Sequence, residues 1–291
     1  MFIYLKTKKQ SFTFSALSRL MVLTLSLSLA FAPVASYAQV LPQTIFNLPA
    51  VGTMVPLSAG FTPTIIKGMT IFPDNPLNFD FIIDTGDEGL EGKAFEQESK
   101  KLIKYFLASL TVPEEDQWVN LSPYEKDRIV PQSLSLTEMG RDLLAQDYLL
   151  KQISASLMYP EEEIGRKFWD RVYTKAQDQF GTTEVPMNTF NKIWIVPNKA
   201  TLYEKDGNVF ILENHLKVML EEDYIALQEG LKVEKFGLDS RTNDNSKIIS
   251  GVTSEVVREV LIPEIEREVN EGKNFAKLRQ VYNSMLLATW Y

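Results

Sequence analysis

The chain has no cysteine and a single histidine, His215, among its 291 residues. Without cysteine there are no disulfides, no thiolate metal sites and no lipid-modified cysteine, so an exported chain of this kind must be held by its core. With one histidine, any Ser-His-Asp or Cys-His mechanism has to use His215, and a multi-histidine zinc site is excluded. No Gly-x-Ser-x-Gly elbow and no Gly-x-x-x-x-Gly-Lys or Gly-x-Gly-x-x-Gly phosphate loop occurs, which removes the common hydrolase and nucleotide-binding readings. Basic residues are in deficit, 30 Lys and Arg against 38 Asp and Glu, for a formal charge of -8. Such a balance argues against nucleic-acid or anionic-membrane binding, both of which rest on basic patches.

Long apolar runs are also scarce. The one near the N-terminus, Leu20 to Ala32, falls short of the roughly 20 residues a helix needs to cross a bilayer. It follows Lys6, Lys8, Lys9 and Arg19 and precedes Ser36-Tyr37-Ala38, so residues 1–38 read as a secretory signal cleaved before Gln39. Cleavage removes four basic residues and takes the charge from -8 to -12. The expected location is the periplasm or the exterior of a bacterium, with no transmembrane helix after cleavage.

From Gln39 to Pro63 an apolar stretch is broken by Pro42, Pro49, Pro56 and Pro63, a spacing that forbids a helix and favours an extended arm. Its apolar side chains are costly to leave in water, so it should lie on the domain or on a partner. Residues 64–291 are expected to form one α+β domain, with two subdomains as the alternative. Thr64 to Phe72 and Leu77 to Asp84 read as a hairpin about Pro73-Asp74-Asn75-Pro76. A helix follows over Lys93 to Leu110, then a loop-rich segment over Thr111 to Pro131, then two helices over Leu136 to Tyr159 and Glu161 to Phe180. Phe190 to Val196, ATLYE and NVFILENHLKVML read as a three-stranded meander, with turns at Pro197-Asn198 and Asp206-Gly207. In its last strand Phe210, Leu212, Leu216, Val218 and Leu220 share one face, which puts His215 with Glu213 and Lys217 on the other, as an ordinary half-exposed residue. A short helix over Glu221 to Gly230, a turn-rich loop over Leu238 to Gly251, a helix over Val252 to Glu271 kinked at Pro263, and a last helix over Phe275 to Tyr291 complete the chain. The fold class is therefore α+β: an antiparallel sheet, hairpin plus meander, covered by several amphipathic helices.

The stretch that draws attention for chemistry is LNFDFIIDTGDEGLEG, Leu77 to Gly92. Asp84-Thr85-Gly86 after Phe81-Ile82-Ile83 is similar to the aspartic-protease signature, in which two aspartates share a proton. No second copy exists, and Asp87 and Glu88 follow where that signature has a small residue. The other readings are an Asx-type turn feeding a helix and a calcium site drawn from Asp84, Asp87, Glu88 and Glu91, whose spacing does not match an EF-hand. Asp84 and Asp87 are the catalytic candidates if the chain is an enzyme. The acidic triplets Glu114-Glu115-Asp116, Glu161-Glu162-Glu163 and Glu221-Glu222-Asp223 fall at expected helix starts, where they complement the helix dipole. A glycosidase-like carboxylate pair from separate elements stays open.

Several stretches resemble an uncharacterised family of exported bacterial proteins: Lys67-Gly68-Met69-Thr70 with PDNPLNFDFIIDTGD, LIKYFLASLTVPEEDQWVNLSPYEKDRIVP, TEMGRDLLAQDYLLKQ, NTFNKIWIVP, LKVMLEEDY and EGKNFAKLRQVYNSMLLATWY. The resemblance covers most of residues 39–291, implies export, and brings no activity or functional residues with it. Its relatives are expected to continue beyond the equivalent of Tyr291. The expectation for function is a non-enzymatic cell-envelope protein that binds a protein partner or self-associates, with no evident cofactor. A carboxylate-dependent envelope hydrolase using the Asp84 to Glu91 turn is the alternative.

Overall fold

The β-branched run Ile65–Ile71 forms strand β1, and Phe79–Asp84 forms β2. They pair antiparallel from Ile65 opposite Asp84 to Ile71 opposite Phe79, with a bulge at Lys67. These elements belong to a computed structural model that describes residues 48–75, 77–111, 137–181, 183, 192–227 and 247–291. Residues 1–38, the arm before residue 48, the greater part of the 111–131 segment with Glu114-Glu115-Asp116, and residues 238–246 lie outside the described residues.

Ile193–Lys205 is β3 and Asn208–Leu220 is β4. Asp206 and Gly207 both take positive φ, 53° and 75°, the geometry of the two-residue turn whose twist suits a hairpin. The sheet is four-stranded and antiparallel in the order β2-β1-β4-β3, so the N-terminal hairpin and the later strands share one sheet. The sequence reading divides IWIV from ATLYE at Pro197-Asn198; here the two are halves of one strand, joined across a bulge. A second irregularity skips Leu212 between Ile211 and Glu213 and changes which face each residue occupies. Ile211 is therefore buried and Leu212 is 61% exposed, the reverse of what the alternation predicts.

Among the described residues six helices pack with the sheet and with one another: α1 Gly92–Ser109, α2 Glu138–Leu157, α3 Glu163–Phe180, α4 Lys247–Val256, α5 Ile262–Glu271 and α6 Ala276–Trp290. Thr137 caps α2 by accepting the Gly140 N–H at 3.0 Å, and Gly181 ends α3 with φ 65°. Glu163 lies in the first turn of α3, as the dipole argument expects. A helical turn over residues 221–227 begins at the third acidic triplet, where Glu222 and Asp223 pair with Arg258. Lys247 to Gly251, read from the sequence as loop, is the first half of α4. Instead of a simple kink at Pro263, a π-helical stretch over Val257–Leu261 joins α4 to α5. At its end the Ile262 N–H donates to the Val257 carbonyl, five residues back.

The centre of the core is α6. Leu278, Val281, Tyr282, Met285 and Leu287 are buried on it, together with the polar Gln280, Asn283 and Ser284. It packs against α1, α2, α5 and β1, within one compact unit spanning Asn47–Tyr291. Among the described residues no helix is long and apolar enough to cross a membrane.

Candidate functional site: a cleft where the sheet divides

The acidic turn after β2 is occupied with holding the arm. Asp84 Oδ1 accepts the Gly86 N–H at 3.0 Å, an Asx turn that starts a short 3-10 helix over Gly86–Glu88. Asp87 exchanges two bonds with Thr62: its Oδ2 accepts the Thr62 N–H at 2.6 Å, and its own N–H donates to the Thr62 carbonyl at 2.8 Å. Glu88 Oε2 accepts the Thr64 N–H at 3.1 Å. Glycine is required at Gly86, where φ is 51° and a Cβ would sit 2.3 Å from the Thr62 carbonyl oxygen. Glu91 is the N-cap residue of α1 and makes no side-chain capping bond. Asp84, Asp87 and Glu88 thus have separate tasks, and among the described residues no three His, Asp or Glu side chains are grouped so as to hold a metal ion.

The described part of the arm, residues 48–63, lies along its own unit. Tyr148 donates to the Pro49 carbonyl at 2.7 Å, and the Val55 N–H donates to Ser156 Oγ at 2.9 Å. Ser58 donates through both its N–H, at 2.8 Å, and its hydroxyl to the fully buried Glu268 of α5. Asn274 donates to the Pro56 carbonyl at 3.0 Å and to Glu268 at 2.8 Å. Gly60 then pairs with Gly272 in an isolated antiparallel bridge. Of the two sequence expectations, contact with the domain is what this stretch makes, and its apolar Val55 belongs to the core.

Where the arm crosses the sheet, the sheet opens. β1 pairs with β4 only from Gly68 opposite Phe210 to Thr70 opposite Asn208; beyond the Lys67 bulge the strands part. The gap is a half-open cleft of about 550 Å³, a size that suits a small ligand. Arm residues Gly60 to Pro63 form one wall, β4 from Ile211 to Leu216 another, and α6 the floor.

The charges in the cleft divide into spent and free. Arg279 of α6 donates to the carbonyls of Val269 at 2.9 Å, Gly272 at 2.7 Å and Phe61 at 2.6 Å, closing the C-terminal end of α5 and anchoring the arm. Burial pulls its guanidinium down to about 10, with Glu268 and Glu271 opposing that shift, so it stays charged at neutral pH. Asp87 is held by Thr62, and Glu213 pairs with Lys199 at 2.7 Å. Among the described residues Lys67 and Glu271 form no side-chain hydrogen bond or ion pair, though the charge of Glu271 acts on Arg279. Asn283 of α6 bridges the two strands at the base: its Oδ1 accepts from Asn214 Nδ2 at 2.7 Å, and its Nδ2 donates to the Ile66 carbonyl at 3.4 Å.

No family model, curated protein or solved structure matches this chain. The site must therefore be read from its own geometry.

Of the residues singled out from sequence, only Asp87 lines the cleft. His215 is beside it on β4, partly exposed, with Nε2 3.8 Å from Glu266 Oε1 and with a buried Nδ1 that makes no hydrogen bond. Among the described residues no serine hydroxyl is bonded to it, and Asp84 and Asp87 each accept from a backbone N–H. Sequence reasoning passed over Lys67, Asn214, Asn270, Glu271 and Asn283. One signal was present: three uncharged polar residues, Gln280, Asn283 and Ser284, set among the apolar residues of the last helix, which a buried helix face tolerates only with partners.

Proposed function

We propose that the protein is an exported, non-catalytic cell-envelope protein that binds a ligand or partner through this cleft. The observation that carries the reading is the cleft's chemistry: a half-open space of about 550 Å³ in which the carboxylate and guanidinium groups of Asp87 and Arg279 are fixed on backbone. What is left for a visitor among the described wall residues is amides, the Lys67 ammonium and the Glu271 carboxylate beside Arg279, a set suited to recognition. General acid–base work needs a carboxylate or imidazole aimed at a reacting atom. Asp84 and Asp87, the residues of the hydrolase alternative, are engaged as turn and arm fasteners.

Export rests on the pattern of residues 1–38, and the resemblance to uncharacterised exported bacterial proteins points the same way. Residues 48–63 of the arm are bonded to their own unit, which favours the cleft over the arm as the contact surface. A photo-crosslinking residue at Leu212, on the cleft rim, tests the reading in the cells that make the protein; the same residue at Leu107, which is also exposed, is the control. An adduct of discrete mass at position 212 and not at 107 is expected, on a protein whose N-terminus in the envelope fraction is Gln39. Equal labelling at both positions, or an uncleaved chain confined to the cytoplasm, defeats it.

A further inference from the structure

Resting on that binding reading, we propose that the cleft takes a short extended peptide, which adds as a strand segment to the uncovered edge of β4 between Ile211 and Asn214. The edge of β4 that faces away from β3 is covered at both ends. At one end β1 pairs with Asn208 to Phe210. At the other, side chains of α5 stand in for a strand: Asn270 accepts the Leu216 N–H at 2.9 Å and donates to the Leu216 carbonyl at 2.8 Å, and Glu266 accepts the Val218 N–H at 2.9 Å. These bonds fix the direction in which Leu216 and Val218 point. By the two-residue period of a strand, Asn214 aims its backbone N–H and C=O the same way, into the cleft.

Two further observations agree on what belongs there. Lys67, which makes no ion pair among the described residues, and Glu271, whose charge acts on Arg279, offer one positive and one negative group, the signs that suit the carboxylate and ammonium ends of a short peptide. The uncovered stretch of four residues is roughly 10 Å long, about the length of an extended tripeptide. Recognition of this kind reads the main chain, so it is tolerant of side-chain identity.

The test uses the isotope-labelled full chain, with trialanine, its central N-methyl analogue and maltotriose as probes. Trialanine is expected to shift the backbone amides of Ile211 to Asn214 and to slow hydrogen exchange at Asn214. N-methylation, which removes one strand donor, should weaken binding at least tenfold. Lys67→Gln and Glu271→Gln should each weaken trialanine several-fold while leaving an acetylated, amidated trialanine unchanged. Equal binding of the N-methyl analogue, or shifts confined to other surfaces, overturns the strand-addition assignment. Shifts at Asn214 with maltotriose alone overturn the peptide assignment and leave the binding reading standing. No shift at the cleft with any of the probes counts against both.

Discussion

Replacing Glu268 by glutamine should loosen the arm along its whole described length. The Glu268 side chain is 0% exposed and accepts from three donors: the Ser58 N–H at 2.8 Å, the Ser58 hydroxyl, and Asn274 Nδ2 at 2.8 Å. Glutamine has nearly the same shape but carries two donors of its own. If its NH2 takes the place of Oε2 it opposes the Ser58 N–H; if it takes the place of Oε1 it opposes Asn274 Nδ2. One buried donor is unpaired either way, at about 1–3 kcal/mol, and the loss of charge assistance brings the total to about 2–4 kcal/mol. For a unit of this size that is a melting point lower by roughly 4–16 °C. Thermal unfolding followed by circular dichroism measures it, and proteolysis of the folded protein at residues 48–58 should quicken in parallel. Ser58→Ala supplies the second corner of a double-mutant cycle, with an expected coupling of about 1–2 kcal/mol. A Glu268→Gln protein within about 0.5 kcal/mol of the parent, the range of ordinary surface changes, would refute the latch.

Asp87→Ala should cost about 1–2 kcal/mol, because it strips the Thr62 N–H of a charged acceptor, whereas Asp84→Asn should lie within about 0.5 kcal/mol, since an amide oxygen also closes an Asx turn. A rise in melting temperature in either would show a carboxylate held for another purpose. Gly68→Ala places a Cβ 2.4 Å from the Val209 carbonyl oxygen and should cost about 1–3 kcal/mol by forcing β1 from β4; an unchanged urea midpoint would contradict that close approach. Burial pushes the hydroxyls of Tyr105 and Tyr282 up, with Asp142 adding to the shift at Tyr105. An unfolded tyrosine ionises near pH 10, so the folded state holds these protons more tightly, and the stability they contribute is present below about pH 10 and is lost as the pH rises beyond it. Phenolate absorbance from two of the eleven tyrosines should then appear only with unfolding; full ionisation of a folded chain would disprove it. Tyr105→Phe should remove part of that alkaline slope. At neutral pH it should cost about 1.5–3 kcal/mol, as Asp142, 4% exposed, loses a buried donor.

The elements were legible in sequence where a local rule governs them. β-branched runs marked the strands, Asp206-Gly207 marked the hairpin, and Gly181 marked the end of α3. The bulges at Pro197-Asn198 and Leu212 were not, because each is settled by the partner strand rather than by its own neighbours. The second bulge matters most, since it alone reverses the burial of Ile211 and Leu212. The cleft was invisible for the same reason on a larger scale: its walls come from residues 60–67, 211–216 and 270–283, which meet only after the sheet has formed. The carboxylates of Asp84 to Glu91 were conspicuous as a cluster, yet their partners at Thr62 and Thr64 lie more than twenty residues away. Clustering in sequence drew the eye to chemistry, while the bonds the groups make are those of a fastening.

The burial of α6 sets an order of events in time. Every element it packs on, α1, α2, α5 and β1, is synthesised before it, and its Gln280 reaches back across 216 residues to the Thr64 carbonyl. Until α6 arrives, the apolar faces of those helices have no centre to close around, and the arm lacks Arg279 and Asn274 to grip it. Contacts of such long sequence separation fold slowly. A nascent chain of this design cannot close that core before residues Ala276–Trp290 have been made.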